Sequence, residues 1–129
     1  MHFGYTILYV PDVQAAVEFY EHAFGLKRRF VHESGQYAEM ETGTTTLSFA
    51  SNAMAEMNGL AIRPNTHHDV AAGIEIVLVT DTPEQAYEQA VAAGALPLHP
   101  VEVKPWGQKV SYVRDLNGCL VELCSPMGS

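Results

Sequence analysis

The chain has 129 residues, 47% of them hydrophobic and 17% charged, which suits one compact domain with a real core. A formal net charge of −8 argues against a nucleic-acid partner, because phosphate binding needs clustered Lys and Arg. No apolar run approaches the ~20 residues that cross a bilayer, so no membrane partner is expected. Nor does Met1-His2-Phe3-Gly4 begin a basic segment followed by an apolar one, so no secretory signal is expected either.

In chain order, Tyr5 to Val10 is a β-rich run ended by Pro11-Asp12. Asp12 can cap a helix through Val13, Ala16, Val17, Phe19, Tyr20 and Phe24, apolar at helical spacing, and Gly25 stops it. Lys27-Arg28-Arg29 is the only basic cluster. It reads as cations favoured near a helix C-terminus, with an anion site as the alternative. Strands are predicted at 27–32, 36–41 and 45–51, broken by Ser34-Gly35 and Thr42-Gly43. Residues 52–73 show no clear periodicity and form either a lid or a plain tether, with a short helical turn near Met54–Met57.

The second half repeats this grammar. A strand run from Ile74 to Val79 ends at Thr80-Asp81-Thr82-Pro83, and Pro83 opens a helix through Ala86, Tyr87, Ala90, Val91 and Ala93. After Gly94, strands are predicted at 96–103, 108–114 and 119–124, with Asp115-Leu116-Asn117-Gly118 as the turn between the last two. The chain is therefore β-α-β-β-β written twice, with modules at about 1–51 and 74–126 joined by the linker 52–73.

Cys119 and Cys124, five residues apart on one strand, would lie about 16 Å apart and point to opposite faces, too far for a disulfide. Two free thiols point to a reducing cytoplasm. Without a neighbouring His or Lys, both read as packing residues rather than nucleophiles.

With the repeat in hand, the chain resembles the vicinal oxygen chelate superfamily, which includes glyoxalase I, extradiol dioxygenases and bleomycin resistance proteins. The resemblance is carried by Tyr5-Thr6-Ile7-Leu8-Tyr9-Val10-Pro11-Asp12-Val13 with Phe19-Tyr20 and Phe24-Gly25-Leu26. Its second marker is Val113-Arg114-Asp115-Leu116-Asn117-Gly118 leading into Val121-Glu122-Leu123. It implies an α+β domain over 1–129, with two βαβββ modules forming a cupped mixed sheet around a cavity and helices on the outer face. It also implies a homodimer.

Many enzymes of that superfamily hold a divalent metal with His and Glu from the first and fourth strands of each module. Carried over, those positions are Tyr5, Ser48, Ile74 and Glu122, of which only Glu122 is a good ligand. Glu75 is one residue off this register, and a frayed strand start or a bulge could account for it. His67-His68-Asp69 lies in the linker and reads as exposed loop rather than as a replacement ligand set. No metal and no other cofactor is therefore expected, the alternative being a divalent metal in a non-standard site.

What remains is a cavity wall. Strand alternation places Tyr5, Ser48 and Glu122 on the face away from the helices. Trp106, the sole tryptophan, suits stacking on a flat ligand, with Gln108 and Lys104 as polar handles and Tyr112 on the cavity face; the alternative is that Trp106 packs the hairpin or a dimer seam. Glu122 is a general acid or base, a ligand anchor, or a relic hydrogen-bonded to Tyr5 or Ser48. The expected function is small-molecule binding of the bleomycin-resistance type. The alternative is a superfamily enzyme, a glyoxalase-like lyase or isomerase or a dioxygenase, with a non-standard metal site or with Glu122 as general base.

Overall fold

The computed structural model describes residues 1–128. They divide into two compact units, the first ending at Pro64 and the second beginning at Asn65, and each is a βαβββ module.

In the first module β1 (Tyr5–Val10) leads into α1 (Val13–Phe24), then β2 (Lys27–Val31), β3 (Tyr37–Glu41) and β4 (Thr46–Ser51). Asp12 caps α1 by accepting a 3.0 Å hydrogen bond from the Ala15 amide. Gly25 ends it at φ 67°, the left-handed conformation that glycine adopts without a side-chain clash. The strand order is β1-β4-β3-β2, with β1 parallel to β4 and the other pairs antiparallel. Alternation turns Leu8, Val10, Leu47, Phe49, Ala38 and Met40 toward α1, where they are buried with Val13, Val17 and Tyr20. A short α2 (Asn52–Met57), capped by Ser51, follows β4 and overlaps the helical turn predicted in the linker.

The second module repeats the plan with β5 (Glu75–Val79), α3 (Pro83–Ala92), β6 (Leu96–Val103), β7 (Lys109–Arg114) and β8 (Leu120–Cys124). Its order is β5-β8-β7-β6, again with only the first and fourth strands parallel. Val113, Val121, Leu123 and Ala90 fill the space under α3. Within its sheet β6 is an edge strand, and Pro97 and Pro100 interrupt its ladder, a common defence against stray pairing at an edge.

The strand expected from Ile74 begins instead at Glu75, and the register corrects the residue carried over from it. Tyr5 lies opposite Thr46, and Glu75 lies opposite Leu120, two positions before Ser48 and Glu122 respectively. The counterpart of Tyr5 is therefore Glu75, not Ile74. Glu75, Val77 and Val79 share the face of Leu120, Glu122 and Cys124, whereas Ile76 and Leu78 point to the side of α3. No bulge in β5 is needed. No helix among the described residues is long and apolar enough to cross a membrane.

Candidate functional site

The helix-free face of the second module is built in rows across three strands. One row is Glu75, Leu120 and Arg114; the next is Val77, Glu122 and Tyr112; the last is Val79, Cys124 and Val110. Glu122 thus sits in the middle of the face, diagonal to Glu75 and directly across from Tyr112. Partial burial, then the charge of Glu122 and a hydrogen bond to it, push the Glu75 carboxyl above the usual carboxylate range. Burial, the charges of Glu122 and Glu75 and a hydrogen bond to Glu122 also raise the Tyr112 phenol. The Cys124 thiol, desolvated and hydrogen-bonded to Glu122, is pushed up to about 11. Burial with the nearby Asp115 charge takes Cys119 to about 12. Both cysteines are free and are poor nucleophiles at neutral pH.

The Glu75 shift has a measurable consequence. A carboxyl whose pKa is higher in the folded than in the unfolded chain binds its proton more tightly when folded. Stability should therefore fall as pH rises through the window above the usual carboxylate value. Urea unfolding at a series of pH values should show this slope, and Glu75→Gln should flatten it. An unchanged slope in the variant would show that the two carboxylates are not coupled.

Trp106 lies in the turn between β6 and β7 and is 61% exposed. Its indole Nε1 donates to Gln108 Oε1 at 2.9 Å, and Gln108 Nε2 donates to the Ser125 carbonyl at 2.9 Å. Gln108 is buried, so it serves to hold the indole plane rather than to reach outward. Lys104, expected beside it as a second handle, approaches Glu102 at 3.7 Å.

The first module carries Tyr5, Ile7, Tyr9, Thr46, Ser48 and Ala50 on its helix-free face, with Tyr37 and Glu39 from β3 beside them. Ser48 is fully buried. The Tyr37 hydroxyl lies 2.8 Å from Glu39 Oε2 and 3.1 Å from Ser48 Oγ. Arg29 completes the row: its Nε and Nη2 grip both oxygens of Glu41, and Nη1 donates to Glu39 and Thr46. These carboxylates hold the Arg29 guanidinium charged, above its usual pKa. Arg28 pairs with Glu21 in the same bidentate way, at 2.9 Å for each bond. Both arginines of the basic cluster are thus committed to carboxylates.

Residues 65–70 are tied to the second module by Arg114, which sequence reasoning noted only as part of a turn motif. Its Nε donates to the Gly118 carbonyl at 2.8 Å, and Nη2 donates to the carbonyls of Thr66 and Asp69 at 3.2 and 2.8 Å. His67 and His68, on this segment, are exposed and lie ring against ring, with centroids 4.1 Å apart.

The four positions at which the resemblance places metal ligands hold Tyr5 and Ser48 in one module and Glu75 and Glu122 in the other. Two are carboxylates, one is a phenol and one is a buried hydroxyl already bonded to Tyr37. No imidazole is among them, so this donor set does not fit the His and Glu pattern. Among the described residues no group of three or more His, Cys, Asp or Glu side chains is gathered for a metal ion.

A sequence model of the glyoxalase/bleomycin resistance protein/dioxygenase superfamily matches residues 2–123. No curated protein sequence matches the chain. Among solved structures, a glyoxalase-related enzyme from Fulvimarina pelagi superposes with a TM-score of 0.82 at 20% identity, covering 98% of this chain and 88% of that one. A glyoxalase/bleomycin resistance protein/dioxygenase family enzyme from Burkholderia phytofirmans PsJN gives 0.78 at 18% identity, covering 97% and 98%. TioX from Micromonospora sp. ML1 gives 0.74 at 20%, also covering 97% and 98%. At such identities these likenesses bear on the fold alone.

Proposed function

The chain belongs to the glyoxalase/bleomycin resistance protein/dioxygenase superfamily, and from that premise we propose that it binds a small organic molecule on the helix-free faces of its sheets. In this reading it does so without the divalent metal common among superfamily enzymes. The observation that carries the reading is the donor set: two carboxylates, a phenol and a buried, hydrogen-bonded serine, with no imidazole at any of the four positions. On the second module Glu122 then anchors the ligand and Tyr112 supplies aromatic wall; on the first, Tyr5 supplies aromatic wall and Ser48 supports it through Tyr37. Trp106, fixed by Gln108 and exposed, offers a planar surface for stacking. Superfamily membership also supports a homodimer.

A second reading is favoured by the neighbouring carboxyls of Glu75 and Glu122, where partial burial and the charge of Glu122 raise Glu75 above the usual carboxylate range. Such a pair can pass a proton, so Glu122 would act as general base or acid in a superfamily enzyme.

Because Trp106 is the sole tryptophan, its fluorescence reports directly on the proposed surface. A screen of planar aromatic compounds should find ones that quench it saturably. For those, Trp106→Ala should weaken binding about three- to tenfold by calorimetry, as expected for loss of one aromatic contact. Binding that is unchanged in Trp106→Ala would remove stacking from the account.

A further inference from the structure

The chain has four asparagines, and two of them, Asn58 and Asn117, are followed by a glycine. In an Asn-Gly pair the glycine amide nitrogen can attack the asparagine side-chain amide, because no Cβ shields it. In a folded chain the rate depends on how readily the backbone opens locally to bring the two together. The two pairs differ sharply in this respect.

Asn117 lies in the turn between β7 and β8, which is fixed from several sides. Asp115 Oδ1 accepts from the amides of Asn117 and Cys119, each at 2.9 Å. The Gly118 amide donates to the Asp115 carbonyl at 3.0 Å, and the Asp115 amide donates to the Cys119 carbonyl at 2.9 Å. Gly118 is buried, its carbonyl accepts from Arg114 Nε, and a Cβ there would lie 2.6 Å from the Thr66 carbonyl oxygen. Turning the peptide between Asn117 and Gly118 would break these contacts together.

Asn58 ends α2, a helix of six residues. The amides of Asn58, Gly59 and Leu60 donate to the carbonyls of Met54, Glu56 and Ala55 at 3.0, 2.9 and 2.9 Å, with Gly59 at φ 72°. This closing turn carries little cover. Residues 56–64 are all exposed, and a Cβ at Gly59 would meet nothing within 4 Å. A helix this short has little stability of its own, so its last turn can fray and free the Gly59 amide without disturbing a sheet.

We propose that Asn58 is a site of spontaneous deamidation and isoaspartate formation, and that the fold protects Asn117 from the same reaction. Hydroxide takes the Gly59 amide proton, the nitrogen bonds to Asn58 Cγ, and the side-chain nitrogen leaves as ammonia. Water then opens the succinimide at either carbonyl, giving aspartate or isoaspartate with no change of oxidation state. Both products place a carboxylate at the C-terminal end of α2, where the helix dipole disfavours negative charge. Isoaspartate also adds a methylene to the main chain and misaligns the closing hydrogen bonds. The modified chain therefore loses the last turn of α2, in the stretch that leads from the first unit into the second. This holds whether or not the sheets bind a small molecule.

The test keeps the full chain in warm, mildly alkaline buffer and follows both pairs by peptide mass spectrometry, with aspartyl and isoaspartyl forms separated. Conversion should be at least about tenfold faster at Asn58 than at Asn117, and the two rates should come together when the chain is unfolded in urea. Similar rates in the folded chain, or conversion at Asn58 only in urea, would overturn the proposal. A bias toward Asn58 that persists undiminished in urea would overturn the protection assigned to the fold at Asn117. In the converted chain, isolated by ion exchange, residues 54–60 should lose hydrogen-exchange protection. Unchanged protection there would overturn the loss of the last turn.

Discussion

Phe49→Ala should cost about 3–5 kcal/mol of folding stability, the range for emptying a large aromatic site in a packed core. Phe49 is fully buried on β4, on the face covered by α1, and its ring meets Tyr20 edge-on with centroids 4.9 Å apart. Tyr20 in turn meets Phe19 and Phe24, so the cavity would open beneath an aromatic cluster that cannot collapse without moving the helix. Phe49→Leu keeps most of the volume and should cost less than about 2 kcal/mol. Urea unfolding followed by circular dichroism would show both. Near-equal losses in the two variants would mean that the site relaxes and that α1 is not anchored there.

Arg114→Met should be the most damaging change outside the core, at about 3 kcal/mol. The guanidinium is buried and donates to the carbonyls of Gly118, Thr66 and Asp69. Methionine fills the stem's volume but leaves those oxygens without a donor. The loss should concentrate in residues 65–70, whose backbone amides should become visibly more mobile on the nanosecond timescale by NMR relaxation. Gly118→Ala probes the same contact from the other side. A Cβ there would lie 2.6 Å from the Thr66 carbonyl oxygen, at a φ of 86° that L-residues rarely adopt. If residues 65–70 keep their order in both variants, Arg114 does not hold that segment.

The doubled module was legible because its punctuation is local. Asp12, Gly25, Pro83 and the Asp115–Gly118 turn each fix a boundary through their own backbone preferences, and the strands between them follow by elimination. The face of β5 was not legible. Glu75–Val79 reads Glu-Ile-Val-Leu-Val, apolar at both parities after its first residue, so alternation carries no signal, and only pairing with β8 sets the register. That pairing puts Glu75 beside Glu122 and makes Ile74 irrelevant to the site.

The Arg29 network was hidden for a related reason. A register shift between Arg28 and Phe30 in β2 interrupts the ladder at Arg29, whose side chain meets Glu39 and Glu41, ten and twelve residues away. A run of three basic residues gives no hint of that. Glu122 was visible because a carboxylate in an apolar strand stands out. Glu39, on a strand with ordinary alternation, did not.

The central claim is that this donor set binds a small molecule and not a divalent metal. Elemental analysis of the full chain, after incubation with equimolar Zn, Ni, Fe(II) or Mn and removal of free ions, tests it most directly. No metal should be retained at a level approaching one per chain. Retention of about one ion per chain, lost in Glu75→Gln or Glu122→Gln, would contradict it.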